Sequence, residues 1–121
     1  MAQKRSLMGV GMSGGQANYA VGNVASGLTA TGTTQADALP LTDVNEFTTV
    51  AASTGGLLPA NASIGDSIFV YNIGAQTLTV YPPVGETINA IAAASGFSVA
   101  TAKTAIFVKV ANTRWASLLT A

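Results

Sequence analysis

Past residue 25 the apolar and polar positions alternate with a period of two, the spacing of a strand that buries one face. In "QTLTVY" (76–81), Leu78 and Val80 share one face while Thr77, Thr79 and Tyr81 share the other. "SIFVYNI" (67–73) is a short apolar run between Gly65-Asp66 and Gly74, and a straight strand there sets Tyr71 opposite Ile68 and Val70. Gly74-Ala75 between these two runs predicts a tight hairpin. "GLTAT" (27–31), "EFTTVAA" (46–52), "ETINA" (86–90), "GFSVA" (96–100), "TAIFVKV" (104–110) and "RWASLL" (114–119) complete the set. Strands at about 8–12-residue spacing with turn residues between them predict an all-β domain, either a single β-sandwich (jelly-roll-like) or a small barrel. The alanine-rich "NAIAAAS" (89–95) has room for one helical turn. The expected core is Leu39, Phe47, Val50, Leu58, Ile68, Val70, Leu78, Val80, Ile88, Phe97, Val99, Ile106, Val108, Trp115 and Leu118. No repeat of fixed period stands out.

Residues 1–25 form a different block, which predicts an extended N-terminal arm ahead of a β domain at 26–121. "KRSLMGVGMSGGQANYAVGN" (4–23) sets Leu7, Met8, Val10 and Met12 among glycines. Fully burying each of these side chains is worth about 1.5–3 kcal/mol. Ordering the backbone between them costs about 1–2 kcal/mol per residue. The arm therefore needs a surface to dock on, which is either a groove on a larger partner or its own domain. Spacing alone does not separate the two. Lys4 and Arg5 can pair with acidic groups on whatever receives it. The basic start resembles a signal peptide, but Gly9 and Gly11 break its apolar run, so no secretory leader is expected. No stretch approaches the roughly 18 apolar residues of a spanning helix, so no membrane partner is expected.

Charge changes the picture more than length does. Hydrophobic residues make up 49% of the 121, an ordinary share, but charged residues only 8%. An average soluble domain has about 25%. Five basic residues balance five acidic ones. A surface of Thr, Ser, Asn, Ala and Gly repels itself weakly and tends to associate. Nucleic acid is not an expected partner, since it requires a positive field. The absence of cysteine and histidine removes disulfides and thiolate or imidazole metal sites. It also removes the usual base for a serine nucleophile, and no Gly-x-Ser-x-Gly elbow is present.

The remaining chemistry is sparse, and neither a cofactor nor a metal is expected. Asp37, Asp43 and Glu46 lie close together but match no Ca²⁺ loop, and turn acids are the commoner explanation. Gly9 to Gly14 spells G-x-G-x-x-G, yet a dinucleotide site needs a preceding strand and a following helix, and too few residues precede it. In "VYPPVGETIN" (80–89), Pro82-Pro83 ends a strand or blunts an edge and holds Tyr81 extended. Such a loop either turns the chain or presents Tyr81, Pro82 and Pro83 as a rigid contact surface.

"KRSLMGVGM" (4–12), "TGTTQADALPL" (31–41), "VYPPVGETIN" (80–89) and "GFSVATAK" (96–103) together resemble a family of small tailed-bacteriophage virion structural proteins, most like capsid cement (decoration) proteins. The resemblance runs over almost the whole chain. It implies a non-enzymatic β-sandwich protomer in a homotrimer, made in the bacterial host cytoplasm and bound to the outer capsid surface, where it reinforces contacts between capsomers. It implies the major capsid protein as partner, with Lys4, Arg5, Leu7, Met8, Val10, Met12, Tyr81, Pro82 and Pro83 as capsid or subunit contacts. Ser13-Gly14-Gly15-Gln16 departs from the helix-compatible stretch of such proteins and makes an extended arm the expectation here. A head-fibre, neck or tail-associated virion protein is one alternative. A carbohydrate-binding β-sandwich using Tyr71, Tyr81 and Trp115 is another.

Overall fold

The structure is a computed structural model that describes residues 23–120. The arm residues Lys4, Arg5, Leu7, Met8, Val10 and Met12, and the Gly9–Gly14 motif, lie outside the described residues. Those described are all-β, with no helix among them. Ten strands follow in order: β1 (Val24–Thr29), β2 (Leu39–Pro40), β3 (Val44–Thr49), β4 (Gly55–Leu57), β5 (Ser67–Asn72), β6 (Leu78–Tyr81), β7 (Thr87–Ile88), β8 (Phe97–Val99), β9 (Lys103–Ala111) and β10 (Arg114–Leu119). Val24 and Ala25 already pair with Val44 and Asn45, so the sheet begins just before the expected boundary at residue 26.

The strands alternate between two sheets as the chain advances. One sheet has the order β1-β3-β5-β9-β10-β7 and the other β2-β4-β6-β8. β1, β3 and β5 are parallel neighbours, and so are β2, β4 and β6. This is the path of a short β-solenoid: three coils, each laying one strand in the first sheet and one in the second. It corrects the expectation of a sandwich or barrel. Two sheets do enclose one core, but the strands climb in parallel, and neither sheet closes on itself. The predicted hairpin at Gly74-Ala75 is likewise a corner, because β5 and β6 belong to different sheets. Past β6 the direction reverses: β8 runs antiparallel to β6, β9 antiparallel to β5, and β10 antiparallel to β9.

The core fills the space between the sheets. Phe47, Ile68, Val70, Phe107 and Trp115 from the first sheet meet Leu78, Val80 and Val99 from the second. The β9 face differs from the expected one. Ala105, Phe107 and Lys109 point inward, whereas Ile106 and Val108 are half-buried. Both faces of β9 are apolar, so periodicity leaves its orientation open. The Phe107 ring decides it by meeting Phe97 edge-on at 5.5 Å. Leu118, expected in the core, is 68% exposed, because Trp115 three residues earlier takes the inward face. The stretch 89–95 forms turns, not a helical turn, with Asn89 and Ala94 at positive φ.

Each passage between sheets leaves backbone groups that no ladder satisfies, and one polar side chain holds each of the first five corners. Asp37 serves β1 to β2, accepting from the Thr33 and Thr34 amides at 3.1 and 2.8 Å. Asn45 serves β2 to β3, accepting from the Thr42 amide and donating to the Thr42 and Phe69 carbonyls. Thr54 donates to Ala51 between β3 and β4, and Asp66 accepts from the Ser63 amide between β4 and β5. Asn72, fully buried, holds β5 to β6. Its amide donates to the Gln76 and Val99 carbonyls, both at 2.9 Å, and its oxygen accepts from the Gly74 amide at 2.9 Å. Asn72→Ala leaves two buried backbone groups and one part-buried carbonyl unpaired and should cost about 3 kcal/mol, read as a shift in the urea midpoint at unchanged slope.

Candidate functional site

The acids come first, because they are the scarce catalytic resource. Asp37 accepts from the Thr34 hydroxyl at 2.8 Å as well as from the two amides. These bonds, the Thr34 hydroxyl foremost, hold its carboxyl below the usual aspartate value. Asp43 accepts from the Asn23 amide at 2.9 Å, and Asp66 from the Ser63 amide at 2.8 Å. Glu86 is buried; its Oε1 accepts from Trp115 Nε1 at 2.8 Å and lies 3.4 Å from Lys109 Nζ. The ammonium sits 5.9 Å from the Trp115 ring centroid. These four of the five side-chain carboxylates are thus committed to holding the fold, and the described residues contain no group of three or more metal-ligating side chains.

An open cleft of about 460 Å³ lies beside the β2–β3 corner, lined by Asn23, Thr42, Asp43, Asn61, Ser63 and Asp66 among others. Its two carboxylates are the ones already holding backbone amides. None of its lining residues is aromatic, so it lacks the stacking platform that a sugar ring requires.

The proline loop differs from its reading as a contact surface. Tyr81, Pro82 and Pro83 are all buried. Tyr81 alternates with Val80 and so points away from the inter-sheet core, but the β1–β2 loop covers it. Its hydroxyl donates to the Thr33 carbonyl at 3.1 Å, and Gln35 donates to the Pro82 carbonyl at 2.6 Å. Glycines flank the ring on both neighbouring strands. A Cβ on Gly55 would lie 2.8 Å from it, and one on Gly96 would collide with Thr79 and sit 3.3 Å from the ring. Within this chain the loop is internal structure. Trp115 is buried too, so of the three aromatics considered for carbohydrate only Tyr71 is exposed.

The surface that remains is the outer face of the first sheet. Val24 pairs with Val44, Val44 with Phe69, Phe69 with Ile106, and Ile106 with Leu118. Paired residues share a face, so these five side chains form one apolar row across five strands. Val24 is 72% exposed, Phe69 37% and Leu118 68%. On one side of the row lie Glu46, Tyr71 and Thr104, and on the other Ser67, Val108 and Ala116. Glu46 is the one carboxylate among them. A contiguous apolar row on a face with so little charge marks a contact surface. The sequence pattern does not reveal it because Ile106 and Leu118 read as core and because the row exists only across strands. No family model, curated protein or solved structure is similar to this chain at a significant level.

Two outcomes test these assignments. Tyr81→Phe should cost about 0.5–1.5 kcal/mol by losing the Thr33 bond, and Tyr81→Ala about 3–5 kcal/mol by opening a cavity, both in thermal or urea melts. The Asp37 carboxyl should titrate below the ordinary aspartate value in a carbon-detected NMR titration. Its contribution to stability is fully present above that ordinary value. It is lost as pH falls through the lowered one, so the β1–β2 turn should hold unchanged between neutrality and mild acid.

Proposed function

We propose that this chain is a non-enzymatic virion structural protein that binds the outer surface of a phage capsid and reinforces contacts between capsomers. One observation carries the reading. Four of the five carboxylates are tied to backbone or buried partners, while the face left to solvent is apolar and nearly without charge. Such a molecule is built for contact rather than turnover. The 8% charge content points the same way, as does the resemblance of the four sequence segments to tailed-phage virion proteins. A cement acts by adding buried area across joints, and repetition over a particle lets modest affinity per copy suffice through avidity. The backbone suits that duty, since five side-chain-held corners make a stiff spacer.

The test is to image the phage particle that incorporates this chain and count its copies. Hundreds of copies on the capsid surface are expected, with the apolar row of the first sheet inside a contact. About a dozen copies at the neck or tail would transfer the protein to the fibre, neck or tail class. Absence from the particle would end the structural reading.

A further inference from the structure

We infer that the outer face of the first sheet is a self-complementary interface, its occupant being the same face of a second copy related by a two-fold axis. The inference takes from the proposed function only that this face is a contact surface. The row Val24–Val44–Phe69–Ile106–Leu118 has Phe69 at its centre, two valines on one side and the larger Ile106 and Leu118 on the other. A two-fold axis through Phe69, parallel to β5, lays a second row on the first in reverse. Phe69 then meets Phe69, each Val44 meets Ile106, and each Val24 meets Leu118. Small faces large at every off-axis position, the complementarity that interdigitating sheets require.

The flanking positions obey the same operation. Glu46 pairs with Tyr71 and Tyr71 with Thr104, so these residues form the next row. Reversal places each Glu46 carboxylate against the Thr104 hydroxyl of the other copy, which can donate to it. The two Glu46 side chains fall on opposite sides of the axis, about 10 Å apart and so largely screened from each other at physiological salt. Size is adequate as well. Five strands about 4.8 Å apart and about 20 Å long cover on the order of 1,000 Å² over two copies, the level a specific interface needs. The resemblance to cement proteins implies a trimer. The symmetry of this row is two-fold instead, since isologous contact places identical residues on the axis.

The experiment uses the purified full chain, which has no cysteine, so each introduced thiol is unique. Light scattering after size exclusion should give twice the 12.1 kDa chain mass. Phe69→Glu and Leu118→Glu, both at exposed positions, should weaken the dimer about 30- to 1,000-fold while leaving circular dichroism and melting of the protomer unchanged. With a short bismaleimide, Phe69→Cys should cross-link to itself. Val24→Cys should cross-link to Leu118→Cys in a mixture of the two variants and not to itself. A monomer, a trimer, a dimer that survives both glutamates, or Val24→Cys cross-linking to itself would each overturn the inference. A monomeric protein still found in hundreds of copies on the particle would remove the two-fold contact and leave the structural role standing. A dimer missing from the particle would do the reverse.

Discussion

The fold depends on the chain being able to leave one sheet for the other without stranding backbone groups in the core. A parallel ladder cannot satisfy the amides and carbonyls at such a passage, because the strand ends there. Asn72 shows how the problem is met. One side-chain amide closes onto Gly74, Gln76 and Val99, tying the end of β5 to β8 in the opposite sheet. Asp37 and Asn45 do the same at their corners, and Thr54 and Asp66 do so with fewer bonds. The apolar core supplies the driving force, but these residues decide where each coil turns and therefore which side chains face inward.

The same residues engage most of the chain's few carboxylates. A carboxylate that accepts two amides and a hydroxyl, as Asp37 does, has little capacity left to act as a base. Glu86 and Lys109 are buried together where the strand direction reverses, and the Trp115 indole donates to the same Glu86 oxygen that the ammonium approaches. Removing one member would leave the other charge buried and unpaired, which makes the pair a lock on that end of the molecule rather than a source of proton transfer. With most carboxylates turned inward or held at corners, an apolar row crosses the accessible face of the first sheet, flanked by Glu46, Ser67 and Thr104.

Much of the strand content was legible in the sequence, and the connections between strands were not. The β5 and β6 runs and their alternation are plain, because Ile68, Val70, Leu78 and Val80 obey the period of two. β2 and β4 escaped notice: Leu39–Pro40 and Gly55–Leu57 are too short and too rich in Pro and Gly to read as strands. Without them the alternation between sheets is invisible, and Gly74-Ala75 looks like a hairpin. Trp115 and Leu118 could not both have been core residues of one straight strand, since three residues separate them. For β9 no such rule helped, because apolar side chains occupy both of its faces. The apolar row illustrates the wider limit: its five members are scattered from residue 24 to 118 and become neighbours only through register. The arm and its contacts lie outside the described residues.

The reversal after β6 has a further consequence for how such a molecule could change in length. Coils before it are stacked in one sense, each resting on the last, so duplicating a whole coil upstream of β7 would add height while interrupting at most one existing pairing in each sheet. At the other edge β8 runs against β6, so the second sheet presents the wrong polarity for another turn of the spiral, and the Glu86–Lys109 lock fastens that end in place. Growth by duplication is thus confined to one end, and a taller relative would differ from this chain in its early turns while sharing its last four strands.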